Sequence, residues 1–68
     1  MTFDDVPVGS IWKHYGGPVY EVILHANVEG AKEQYPQSVV YRNVDNGKVY
    51  VRPLSEWARS FTRYRGGT

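Results

Sequence analysis

Glycine and proline interrupt this chain so often that short strands fit the intervals between them better than any long helix. Gly9, the Gly16-Gly17-Pro18 triplet, Gly30 with Pro36, Gly47 and Pro53 separate stretches rich in Val, Ile, Tyr and Trp. Those side chains favour a pleated, half-buried backbone, and the interrupting residues end it. Ile11-Trp12-Lys13-His14-Tyr15 reads as a first strand that stops at the triplet. Val19 to Ala26 reads as a second, because Tyr20, Val22, Leu24 and Ala26 alternate with Val19, Glu21, Ile23 and His25, the period of a strand. The first set is expected to face the core. Val6-Pro7-Val8-Gly9-Ser10 is expected to be extended, since proline fixes φ and biases the preceding residue toward β geometry, making residues 1–8 a lead-in.

Val39-Val40-Tyr41-Arg42 and Val49-Tyr50-Val51-Arg52 form the arms of an expected hairpin closed by Asp45-Asn46-Gly47. A two-residue turn on Asn46-Gly47 pairs Val44 with Val49 and Arg42 with Val51, which mixes a charge into an apolar face. A three-residue loop, with Asp45-Asn46 in a type I turn and Gly47 in the left-handed region, pairs Val44 with Lys48 and Asn43 with Val49. The second register is preferred: it places Val39, Tyr41, Val49 and Val51 on one face and Val40, Arg42, Tyr50 and Arg52 on the other. A slip of one residue inverts the pattern.

Asn27 to Pro36 is polar and lacks apolar periodicity, so it reads as the connection between strands two and three and as the segment most prone to move. Pro53 to Arg59 reads as one helical turn whose Leu54 and Trp57, three apart, cover the same end of the sheet. Phe61-Thr62-Arg63-Tyr64 alternates once more as a closing strand, and residues 65–68 read as a flexible tail. The expected architecture is one domain over residues 1–68, mainly β, a small five-stranded antiparallel SH3-like barrel with one helical turn before the last strand. An oligonucleotide-binding barrel is the competing form.

The 68 residues include no cysteine, so no disulfide or thiolate metal site is possible and an apolar core must hold the fold, with self-association as a possible aid. The longest aliphatic run, Val22-Ile23-Leu24, is far short of the ~20 residues of a membrane span. The first residues are acidic where a secretory signal is basic and then apolar, so a cytoplasmic protein is expected. A net charge of +1 hides an asymmetry. Residues 1–36 set Lys13 and Lys32 against Asp4, Asp5, Glu21, Glu29 and Glu33, whereas residues 37–68 set Arg42, Lys48, Arg52, Arg59, Arg63 and Arg65 against Asp45 and Glu56.

Four pieces in order, His14-Tyr15-Gly16-Gly17, Tyr20-Glu21-Val22, Val40-Tyr41-Arg42 and Tyr50-Val51-Arg52-Pro53-Leu54, make the chain similar to a family of short uncharacterised bacterial and bacteriophage proteins, a domain of unknown function. The resemblance covers roughly residues 11 to 64 and implies a small β-barrel with no established activity. Gly16 stands where the family pattern has lysine and Tyr50 where it has tryptophan. The missing lysine weakens any shared anion site at the first turn, and the long loop ending at Pro36 suggests a specialised, phage-borne member.

No catalytic pattern emerges. Glu21, His14 and His25 could serve as bases and Ser10, Ser38 or Ser60 as nucleophiles, but their spacing marks no triad, and a closed barrel of this size leaves no cavity. His14 and His25 alone do not make a zinc site. The expected protein is therefore not an enzyme and needs no cofactor. His14 is open to a structural role, its ring bonding to backbone at the strand end.

The set Trp12, Tyr15, Tyr20, Tyr41, Tyr50, Trp57, Phe61 and Tyr64 exceeds what a small core must bury, and exposed Tyr and Trp suit binding surfaces. Arg42 and Arg52 beside Tyr50, with Tyr15, His14 and Tyr20, form the candidate site. Three readings stay open: surface ion pairs with Glu21 or Glu56 worth ~0–1 kcal/mol each, a clamp for a small anion such as a nucleotide with Tyr15 or Tyr50 stacking on its base, or an anchor for a partner protein's acidic segment. A protein partner is expected first, a host protein if the chain is phage-encoded. Single-stranded nucleic acid ranks last, since +1 supplies little counterion-release drive.

Overall fold

The computed structural model describes residues 1–29 and 36–64. Its strands are β1 (Ile11–His14), β2 (Val19–Ala26), β3 (Ser38–Asn43), β4 (Val49–Pro53) and β5 (Phe61–Arg63). All pair antiparallel in one five-stranded sheet of order β4-β3-β2-β1-β5. One helix, α1 (Leu54–Ser60), precedes the last strand. The mainly β, five-stranded expectation is met, with one difference: among the described residues β4 and β5 are the two edges of an open sheet and do not close a barrel. Pro53 starts the helix with a φ of −58°, the value its ring imposes. Leu54 and Trp57 then turn inward onto a core of Val6, Trp12, Val22, Val39, Tyr41 and Phe61.

The hairpin takes neither expected register. Arg42 faces Val49, Tyr41 faces Tyr50, Val40 faces Val51 and Val39 faces Arg52. The loop is residues 44–47, one longer than the favoured reading. Asn43 is the cause: its Oδ1 accepts the amides of Asp45 and Asn46, its carbonyl accepts the Gly47 amide at 2.9 Å, and its own amide bonds to the Lys48 carbonyl at 2.8 Å. Gly47 does adopt a positive φ, +76°. The extra loop residue inverts β4 relative to β3, as a one-residue slip must. Tyr50 and Arg52 therefore join Val39 and Tyr41 on the inner face, while Val40, Arg42, Val49 and Val51 face outward. Arg42 and Arg52 lie on opposite faces of the sheet, and the expected pairing of two guanidiniums beside Tyr50 does not exist.

A second inversion occurs in β2, where the register shifts between Val22 and Leu24, a β-bulge. Tyr20 and Val22 face inward as expected, but beyond the bulge His25 opposes buried Val39 and Leu24 is turned out, 49% exposed. The expected inward set thus holds only for its first half. Nor are residues 1–8 an extended lead-in. Phe3–Asp5 form a 3-10 turn, Val6 is fully buried, the Phe3 ring stacks on His25 at 4.2 Å, and His25 Nε2 donates to the Val6 carbonyl at 2.6 Å. The segment fills the part of the core that the bulge turns Leu24 away from. Most of the Asn27–Pro36 loop and all of the 65–68 tail lie outside the described residues. The ends of that loop are tied, Asn27 Nδ2 to the Pro36 carbonyl and Gln37 Nε2 to the Val28 carbonyl.

Candidate functional site

The inner face carries a chain of rings. Trp57, fully buried, stacks on Phe61 at 4.1 Å, and Trp12 meets Trp57 edge-on at 5.6 Å. Tyr41 and Tyr20 both turn edges toward Phe61, at 5.3 and 5.6 Å. Tyr50, brought inward by the long hairpin loop, stacks on Tyr41 at 5.8 Å and meets Tyr20 edge-on at 6.1 Å. The directly opposed Tyr41–Tyr50 pair is the cross-strand unit that stabilises sheets. On the other flank His14 contacts Phe61 and Tyr20, and Tyr15 stacks on His14 at 4.3 Å. Burial grades along this chain: Tyr41 and Phe61 are buried, Tyr20 and His14 half-buried, Tyr50 43% exposed and Tyr15 83% exposed. The outcome is a cradle with a dry floor and a tyrosine rim.

Arg52 stands at the open side of the sheet. Its guanidinium lies 5.2 Å from the Phe61 ring centroid and Nη1 donates to Ser60 Oγ at 3.0 Å. β4 thereby reaches the α1–β5 junction through a side chain where the two edge strands lack a ladder. Nε of Arg52 is buried with no hydrogen-bond partner among the described residues. Such a cation over an aromatic face contributes about 0.5–2 kcal/mol, so Arg52 acts first as a clasp. His14 is likewise fixed: the Gly16 amide donates to its Nδ1 at 3.0 Å, so a neutral ring carries its proton on Nε2. That is the backbone bond anticipated for it at the strand end.

Of the six candidate residues, His14, Tyr20 and Arg52 meet Phe61 directly, while Tyr15 joins them through His14 and Tyr50 through Tyr20. Arg42 does neither. It leaves the outer face and pairs with Glu21 at 2.7 Å, both side chains partly exposed, the surface ion pair that formed one of the three readings. Phe61 and Ser60, which organise the cradle, stand in the sequence reading only within the aromatic set and among three possible nucleophiles, outside the candidate site. Their signal was the abrupt change from helical spacing to alternation at Ser60-Phe61, which puts a ring and a hydroxyl at a chain reversal. Trp12 and Arg63 form a second cation–aromatic pair, 5.7 Å apart, on β1 and β5. Among the described residues no group of three or more His, Cys, Asp or Glu is placed to hold a metal ion, and no helix is long and apolar enough to cross a membrane.

An open antiparallel sheet, a single short helix and a graded aromatic cradle define a small β protein. The chain belongs to the family described as Protein of unknown function (DUF1653), whose model matches residues 10–65. No curated protein and no solved structure matches it.

Proposed function

We propose that this chain is a non-catalytic binding module that receives a segment of a partner protein on the rim formed by Tyr15, Tyr20 and Tyr50, with His14 and Arg52 holding the rim in shape. The observation that carries the reading is the pair of exposed rings, Tyr15 stacked on half-buried His14 and Tyr50 stacked on buried Tyr41. Tyrosine offers a large amphipathic contact area at low entropic cost, and a ring braced by others is pre-organised for contact. A bacteriophage origin, a host protein as partner and a cytoplasmic setting complete the proposal.

The small-anion alternative loses its main support, because Arg42 faces away and Arg52 is engaged with Ser60 and Phe61. Affinity capture from a bacterial lysate tests the preferred reading. The expected result is a specific protein retained by the wild type and by Arg42→Ala but lost by the Tyr15→Ala/Tyr50→Ala double variant. Recovery of no specific protein, or of one that the double variant still binds, overturns it.

A further inference from the structure

The outer edge of β4 is unpaired among the described residues. The hydrogen bonds from the Asn43 amide to the Lys48 carbonyl and from the Leu54 amide to the Gln37 carbonyl bracket the β3–β4 ladder. Antiparallel alternation then turns the backbone groups of Tyr50 and Arg52 toward β3, and those of Val49, Val51 and Pro53 away from it. Nothing described pairs with that outward row. Val49 and Val51 are 55% and 62% exposed, and no lysine or bulge lies within the strand; its one charge, Arg52, points inward but is engaged by Ser60 and Phe61, so of the usual guards of an edge strand Pro53 is left at its end. On the outer face Val51 continues a cross-strand apolar row with Val40 and Leu24.

We infer that β4 pairs antiparallel with β4 of a second copy of this chain about a two-fold axis at Val51, joining two sheets into one. The strand is self-complementary in this register. The Val51 amides bond reciprocally to the Val51 carbonyls, and each Val49 amide reaches the other copy's Pro53 carbonyl. Pro53 has no amide to leave unpaired. On the inner face each Tyr50 stands opposite the other copy's Arg52, an aromatic beside a cation. On the outer face the Leu24–Val40–Val51 row runs on into the second copy's row. An axis one residue earlier, at Tyr50, sets Arg52 against Lys48 of the other copy, and like charges placed directly opposite destabilise a sheet. A two-fold contact that uses one patch twice is the commonest way soluble chains associate. The pairing rests on the backbone edge and the outer valines; it brings Tyr50 and Arg52 of the rim to the seam, so the test variants are placed at Val49 and Val51, outside the rim.

The absence of cysteine makes the inference directly testable. Residues facing each other across a hydrogen-bonded antiparallel pair have Cα atoms ~5.5 Å apart, inside disulfide reach, so Val51→Cys should oxidise to a covalent dimer roughly tenfold or more faster than Val49→Cys, which the axis places opposite Pro53. Sedimentation velocity over a concentration series should show the 7.8 kDa chain passing to twice its mass. Val51→Lys, on an exposed outward position, should remain monomeric while keeping the wild-type circular dichroism spectrum. A wild type that stays monomeric at every concentration, a Val51→Lys variant that still dimerises, or cross-linking as fast through Val49 as through Val51 each overturns the assignment.

Discussion

Arg42 and Arg52, alike in sequence context, do different physical work because they leave opposite faces of the sheet. Arg42 meets Glu21 in a partly exposed pair, and solvent screening holds such contacts to about 0–1 kcal/mol. Arg42→Ala should therefore shift the urea midpoint little. Arg52 spans the open side of the sheet to Ser60 and Phe61. Arg52→Ala removes the charged hydrogen bond and the ring contact, and should lower stability by about 1–3 kcal/mol. Arg52→Lys should recover only part of that, because an ammonium lacks the planar fork. Equal losses for Arg42→Ala and Arg52→Ala in urea titrations would contradict the clasp. Trp57, with its fully buried ring at the base of the cradle, should cost about 3–5 kcal/mol when cut to alanine. The inward place of Tyr41 beside Val39 was legible from the alternation of β3. The separation of the arginines was not, because residue type carries no information about which face a strand position takes once the turn length is uncertain.

At the scale of elements, the hairpin loop decides the site. Asn43 gathers the Asp45 and Asn46 amides on one side-chain oxygen, which wraps the chain once more before Gly47 reverses it. Asn43→Ala leaves those amides without that acceptor and should cost about 1 kcal/mol. Gly47→Ala forces a Cβ into the left-handed region at a φ of +76° and should cost about 1–2 kcal/mol. Steric crowding is not the reason, since a Cβ there meets open space. Both variants are read by thermal denaturation, and a neutral Gly47→Ala would mean that the turn relaxes to another form. Asp45-Asn46-Gly47 announced a turn and Gly47 its left-handed member. The turn's length was hidden, because the capping role fell to Asn43, a residue that reads equally well as the last strand position. The β2 bulge was hidden for a related reason: Val22-Ile23-Leu24 is apolar throughout, so losing alternation over one residue leaves no trace in the pattern. Leu54 and Trp57, by contrast, followed their three-residue spacing directly into the core.

For the whole molecule, an open sheet with a small core predicts cooperative but modest stability, since chains of this length bury only roughly 60% of their unfolded surface. Strand number, pairing sense and the place of the helix could be read from where glycine and proline fall. Closure could not, because it depends on how far the sheet curls, and no short segment encodes that. The turn formed by Phe3–Asp5 and the burial of Val6 left little sign in the sequence, since two aspartates separate Phe3 from Val6 and Pro7 follows at once.

That amino-terminal plug has a practical meaning for anyone trimming the protein to its family boundary. The shared family pattern begins at residue 10, yet Val6 fills the interior beside Val22 and Val39 and Phe3 lids His25. A fragment started at Ser10 would keep every strand and the helix while uncorking one end of the hydrophobic interior. It should melt well below the full chain and bind a hydrophobic dye, whereas removal of Met1 alone, which leaves Thr2 to cap the turn, should change neither property.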